Sequence, residues 1–290
     1  MVSSADSPET SPATVVETKW PTSALPAALF LSVFFLLPLA FVLLLSLSPN
    51  VLVHSHGLGF GNFEYLLSKP YYLSVLVRTV RIAAVTTVVG LLIGYPAAYS
   101  LKLLGERVSS GLIIGLTFPI LAGPLVVVLG WMILLADGGP LLGPLHKWNL
   151  IRLPHLIGTE TAVVIGLVHF TLPFVILSIY SSLRQIPDDL IEAARSLGAG
   201  TGNLLVRVIW PLSLPGVISA SLIAFSLAAS AYVTPYYLGG PGQITLTTLV
   251  GEFILGTYNS QMAAAVSVLL LVTMFAITFA FIKFTSRLVR

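Results

Sequence analysis

Six stretches of mostly apolar residues recur along the chain, at approximately Leu25–Leu47, Leu76–Leu101, Leu112–Ala136, Thr161–Leu183, Leu212–Leu238 and Met262–Phe284. A helix needs about 20 such residues to cross the hydrocarbon core of a bilayer. Inside that core every backbone N–H and C=O must be bonded within the protein, so runs of this length fold as helices. Composition agrees. The chain is 56% hydrophobic and only 9% charged, with mean hydropathy +0.98, too few charges to cover a water-soluble domain. The expected fold is an all-α polytopic membrane protein with six transmembrane helices. The first stretch is too long for a signal-peptide core and is followed by no small-x-small cleavage site, so it reads as an uncleaved span.

Lys and Arg set the orientation, because cytoplasmic loops retain them. With the N-terminus inside, nine fall on that side: Lys19, Lys102, Arg107, Arg184, Arg195, Arg207, Lys283, Arg287 and Arg290. Three fall opposite, Lys69, Lys147 and Arg152, or five if Arg78 and Arg81 at the outer mouth of the second span are added. Both termini are therefore expected in the cytoplasm. Residues 1–22 read as a disordered cytoplasmic tail rich in Ser, Thr and Pro, 23–75 as the first span with its outer loop, 76–284 as a five-helix domain and 285–290 as a second tail. Net charge is only +3 and no basic run occurs, so nucleic acid is not an expected partner while membrane lipid is. No cysteine is present, which excludes disulfides, thiolate metal sites and Cys nucleophiles. Pro38, Pro96, Pro119, Pro124, Pro173, Pro215 and Pro235 lie in the spans, and proline removes a backbone donor and bends a helix.

One polar segment interrupts this pattern. Residues 187–211 lie between the fourth and fifth spans on the cytoplasmic side. Pro187, Asp188 and Asp189 suit the first turn of a helix, where a fixed φ and negative charge are both favourable. Gly198 is placed to end that helix in a left-handed conformation. Thr201 or Asn203 is available to cap a second short helix, which Pro211 is expected to end. Leu190, Leu197 and Leu204 form a candidate apolar face. Ala193 and Ala194 are small enough for another backbone to approach closely. A helix lying on lipid headgroups would carry more net positive charge and would not begin with two acids.

The spacing Glu-Ala-Ala-x3-Gly-x9-apolar-x-apolar-Pro, filled here by Glu192, Ala193, Ala194, Gly198, Val208, Trp210 and Pro211, resembles that of the permease subunits of binding-protein-dependent ABC importers, with their MetI-like transmembrane domain. That family usually has Ile and Leu where this chain has Val208 and Trp210. Gly94-Tyr95-Pro96 is similar to the family's GYP. Ser230-Ala231-Tyr232-Val233-Thr234-Pro235 with Leu238-Gly239-Gly240 resembles the spermidine/putrescine-type branch, in which Arg78 is often Asn. The resemblance covers roughly residues 76–284. It implies a type I ABC importer permease fold with a cytoplasmic coupling helix, in a bacterial or archaeal cytoplasmic (inner) membrane. It implies as partners an ABC ATPase subunit dimer, a second and different permease chain, and an extracytoplasmic solute-binding protein. By the same resemblance Glu192, Ala193, Ala194, Gly198 and Pro211 form the ATPase contact, and the solute is a polyamine-like organic cation or a related compound.

The chain carries no Gly-x4-Gly-Lys-Ser/Thr phosphate loop, so ATP is expected on a separate subunit. No cofactor, metal site or catalytic set is expected. Polar and aromatic residues within the spans are the candidates for a substrate path: Tyr232, Trp131, His169, Ser230 and Thr234, with Tyr180, Ser226 and Tyr236 more distant. Aromatic rings can hold an organic cation by cation–π attraction. Asp137, Glu160 and Glu252 sit at outer span ends, able to receive a cation or meet a binding protein. The alternative reading is a secondary transporter or channel not driven by ATP, but no acid lies deep in a span, where proton or sodium coupling usually needs one. An intramembrane enzyme lacks a credible catalytic set.

Because the chain has no cysteine, single cysteines report orientation cleanly. Ser4→Cys and Ser286→Cys are expected to resist an impermeant maleimide in intact cells, and Ser55→Cys to react. Labelling of the first two would reverse the topology.

Overall fold

The computed structural model describes residues 25–50, 52, 57–104, 106–140, 143–144 and 155–285. The tail expected at 1–22 lies outside the described residues, as do 286–290. The chain divides into two compact units, residues 1–42 and 43–290. In the first, α1 (Leu25–Ser46) begins, a 22-residue apolar helix with Pro38 inside it.

The second unit carries the remaining elements. These are α2 (Gly61–Ser68), α3 (Pro70–Leu103), α4 (Glu106–Ala122), α5 (Pro124–Leu135), α6 (Glu160–Arg184), α7 (Asp188–Ser196), α8 (Thr201–Leu204), α9 (Trp210–Ser230), α10 (Val233–Gly239), α11 (Leu246–Gly251) and α12 (Ser260–Thr285). Wider π turns join α8 to α9 at Leu205–Ile209 and follow α11 at Glu252–Gly256. Among the described residues five helices are long and apolar enough to cross a membrane, or six if α4 and α5, bent by 96°, are counted as one span.

The centre is a trio, α3, α6 and α9, each packed on the other two. Lipid tails are as apolar as leucine, so helices in a bilayer associate by close contact rather than by exclusion of water. Small residues permit that contact. A Cβ on Gly94 would lie 2.6 Å from Val175 Cγ1, and one on Gly216 would lie 2.4 Å from Ser182 Cβ. One half of the trio, beside α7, closes around Ala98, Val175, Ile179, Leu183, Leu204, Ile209 and Ala220, and the other half around Ile82, Ala83, Val163, Leu167, Ala228 and Leu238. A third cluster joins Leu66, Val75, Leu246, Leu249, Phe253 and Met262.

Local chemistry sets the ends of the elements. Thr159 caps α6 by accepting the Ala162 N–H at 3.3 Å. Thr245 begins α11 with a reciprocal capping box to Thr248. Pro70 starts α3 at its first turn, which lengthens the second span well beyond the expected Leu76 boundary.

Three expectations are corrected. The third span is not one straight helix: Gly123, at φ 79°, precedes Pro124 and turns the chain between α4 and α5. The fifth span does not run to Leu238, because α9 ends at Ser230 and α10 starts at Val233. Pro235 has no N–H to give the carbonyl four residues back, that of Ala231, and its ring crowds that oxygen. Thr247 Oγ1 donates to the Ala231 carbonyl instead, at 2.7 Å. Pro211 does not end a short helix either, since the helix is continuous from Thr201 to Ser230. The π turn before the proline accommodates it, with the Trp210 N–H bonded to the Leu205 carbonyl five residues back.

Gly216→Val places two methyl groups in the α6–α9 contact. Overpacking of this kind costs about 1–3 kcal/mol, so a lowered melting temperature in detergent is expected. Gly202→Val, where a Cβ meets nothing within 4 Å, is the control, and equal melting of the two would disprove the close-contact reading.

Candidate functional site

The polar segment forms a projecting turn of helix on the trio. After α6 the chain bends through Gln185 and Ile186, and Ile186 is buried in the cluster that holds Ala98, Leu183 and Leu204. Pro187 then takes an extended conformation (φ −61°, ψ 138°) and α7 begins with Asp188 and Asp189 in its first turn. Ile191 and Ala194 pack inward on the cluster that contains Ile186 and Leu204. Glu192, Ala193 and Arg195 are exposed. The two small residues thus serve different surfaces, Ala193 facing out and Ala194 facing the bundle.

The helix ends as a Schellman motif. The Gly198 N–H donates to the Arg195 carbonyl at 2.9 Å and the Ala199 N–H to the Ala194 carbonyl at 3.0 Å. Gly198 has φ 83°, a left-handed conformation that a side chain disfavours. Gly200, not Thr201 or Asn203, occupies the cap of α8, and no side chain bonds there. The expected face of three leucines does not exist as one surface. Leu204 is 2% exposed, while Leu190 and Leu197 are 47% and 88% exposed. Pro211 lies on α9 at the end of the π turn and is exposed.

Lys102 fixes the root of this segment. From the end of α3 its Nζ donates to the carbonyls of Leu183, at 2.9 Å, and Ile186, at 3.3 Å. The Leu183 carbonyl also accepts the Ile186 N–H at 3.3 Å, so Lys102 adds a charged donor to the turn where the regular bonds of α6 run out. In the sequence Lys102 stands out only as a topology charge. Its place in the last turn of a helix was the available signal.

The path candidates separate into distinct places. Trp131 on α5 meets His169 on α6 edge to face, with centroids 5.7 Å apart. His169 lines an apolar cavity with Gly111, Gly115, Pro119 and Leu172. Ser230 Oγ turns back to the Ser226 carbonyl at 2.8 Å. Thr234 is 4% exposed and sits against Gly166, where a Cβ would lie 2.7 Å from its Cγ2. Tyr232 occupies the break between α9 and α10. Its ring stacks on Tyr236 at 5.3 Å and covers Gly251, where a Cβ would lie 2.5 Å from ring carbon Cε2. Both tyrosines line an open cleft of about 520 Å³ together with Pro235, Ile244, Thr248, Glu252 and Leu255. The structure therefore gathers Tyr232, Tyr236 and Glu252, and keeps His169 at another cavity with Trp131 against its ring.

The sequence profile of the family described as the binding-protein-dependent transport system inner membrane component matches residues 87–290. The chain belongs to that family. The permease is 31% identical over 218 residues to the spermidine/putrescine transport system permease protein PotB of Haemophilus influenzae, covering 75% of this chain and 76% of that one. Its fold is that of a bacterial ABC transporter involved in import of the acidic polysaccharide alginate, with TM-score 0.76 at 13% identity over 93% of the permease and 95% of the solved chain. A second structure of an alginate transporter, in complex with an alginate pentasaccharide-bound periplasmic protein, gives TM-score 0.74 at 12% identity, covering 93% and 94%. The permease, all-helical among the described residues, is thus a type I importer transmembrane subunit of an inner membrane, a transport component rather than an enzyme.

Lys102→Met keeps the aliphatic stem and removes both donors. A hydrogen bond to a charged group contributes about 1.5–3 kcal/mol, so local opening at the α6–α7 bend becomes at least about tenfold more frequent. Hydrogen exchange measured by mass spectrometry is expected to speed up in peptides covering Leu183–Ala199 and to stay unchanged in α12. Unaltered exchange at the bend would remove Lys102 from this role.

Proposed function

We propose that the permease imports an organic cation of the polyamine type, driven by ATP hydrolysis in a separate subunit that docks on the exposed face of α7. The observation that carries this reading is the form of residues 187–211. Glu192, Ala193 and Arg195 stand exposed on a helix whose opposite face is seated in the bundle, whose root is held by Lys102 and whose far end is turned by Gly198. An acid beside a small residue suits a basic partner surface at close range. Displacement of α7 would pass directly into the trio, because α8, the π turn and α9 form one continuous helix.

The nine-to-three Lys/Arg distribution supports a cytoplasmic location for this segment and for both termini. The absence of a phosphate loop supports a separate ATPase. An extracytoplasmic binding protein is inferred from the family's description, and a second, different permease chain from the relatedness to the PotB branch. The amine substrate class rests on that relative's name and on the aromatic pair in the outer cleft.

Glu192→Lys and Ala193→Trp test the docking face, and Gly198→Val tests the turn that aims it. Removing one member of a desolvated charge pair typically costs about 2–5 kcal/mol, a loss of at least about 30-fold in ATPase affinity. Each variant is expected to insert normally, to retain less ATPase through detergent purification and to lose ATP-dependent uptake in reconstituted vesicles. Normal uptake by all three with the ATPase still bound would refute the coupling assignment.

A further inference from the structure

Three acids stand at outer span ends, and the structure treats them differently. Glu160 is paired with Arg81, whose Nε donates to Oε1 at 3.0 Å. Asp137 is paired with His155. Glu252 is exposed, and among the described residues no hydrogen bond or ion pair engages its carboxylate. It projects from the π turn after α11 and lines the cleft beneath the break in the fifth span.

The other walls of that cleft are chemically specific. The stacked rings of Tyr232 and Tyr236 offer π faces, which attract cations. Arg78 reaches the same region but gives a guanidinium hydrogen to the Ile244 carbonyl at 3.3 Å. The absence of a side chain at Gly251 leaves room for the Tyr232 ring. A volume of about 520 Å³ is ample for a short alkyl chain with a charged end, since pockets for small organic ligands begin at about 300 Å³.

We infer that Glu252, Tyr232 and Tyr236 form an ammonium-accepting subsite at the outer mouth, with Glu252 as its charge-selecting residue. This rests on the reading of the permease as an importer of organic cations. The ligand class is an alkylammonium: Glu252 takes the charged end by charge-assisted hydrogen bonds, and the tyrosine pair covers the adjoining methylenes. A neutral diol of the same length would gain the apolar contact but not the charged one.

The chain has no cysteine, so Leu255→Cys, at a cleft residue 69% exposed, reports occupancy of the assembled transporter through its rate of reaction with N-ethylmaleimide. Millimolar 1,4-diaminobutane is expected to slow labelling several-fold, and 1,4-butanediol to leave it unchanged. Adding Glu252→Gln is expected to abolish the protection, while Glu252→Asp retains part of it. Tyr236→Leu, which removes an exposed ring without opening a core cavity, is expected to weaken it. Equal protection in the Gln and parent backgrounds, protection by the diol, or none by the diamine would each overturn the subsite. Uptake by the same vesicles separates the two levels of inference. Import of 1,4-diaminobutane without protection removes the cleft alone, whereas import confined to non-amine solutes removes the substrate class as well.

Discussion

A peptide carbonyl in hydrocarbon has no water to turn to, and leaving it unbonded costs several kcal/mol. The helical breaks of this permease are organised around that constraint. Where Pro235 withdraws its donor, Thr247 reaches the Ala231 carbonyl. Where α6 ends, Lys102 serves the Leu183 and Ile186 oxygens. Where α10 ends, the Gly158 N–H takes the Leu238 carbonyl at 2.8 Å, and Arg78 serves that of Ile244. These departures from helix are thereby tied to donors from elsewhere in the chain, so they are also cross-links, whereas the turn at Gly123 and the end of α7 keep local bonds.

Those regions are where the proposed docking face and the tyrosine-lined cleft lie. The break in the fifth span opens the cleft that Tyr232 lines. The bend after α6 presents α7. A chain of six uninterrupted helices would satisfy its backbone equally well and offer neither feature. Small residues support the arrangement from beneath, because Gly94, Gly166 and Gly216 let the helices of the trio and α10 come close enough to share their contacts.

Much of this was legible in the sequence. The boundaries of α1, α6 and α12 follow the apolar runs within two residues, since unbroken hydrophobicity leaves only one structure. Gly198 was read as a left-handed helix end from its position alone, and its φ agrees. The breaks were less legible. Pro124 and Pro235 were visible, but a proline within an apolar run either kinks a helix or ends it, and the outcome depends on whether a donor from elsewhere reaches the freed carbonyl. Thr247 supplies that donor from 16 residues away, beyond any local pattern. Glu252 was visible as an outer acid. Its separation from Glu160 and Asp137 came only with the partners those two acquire in three dimensions.

The π turn at Leu205–Ile209 bears on how the polar segment is aimed. Leu204 and Ile209 are five positions apart, yet both are buried, at 2% and 1% exposure. In an unmodified α-helix such positions point about 140° apart. The wider turn takes up one additional residue and brings them onto the same cluster. It therefore sets the rotational phase between α9 and everything that precedes it. Removing a single residue here would leave composition and hydropathy almost unchanged while rotating the upstream helix by about 100°, pointing α7 away from its seat on the trio. The number of residues in this turn thus sets the register of the helix as directly as their identity sets its packing.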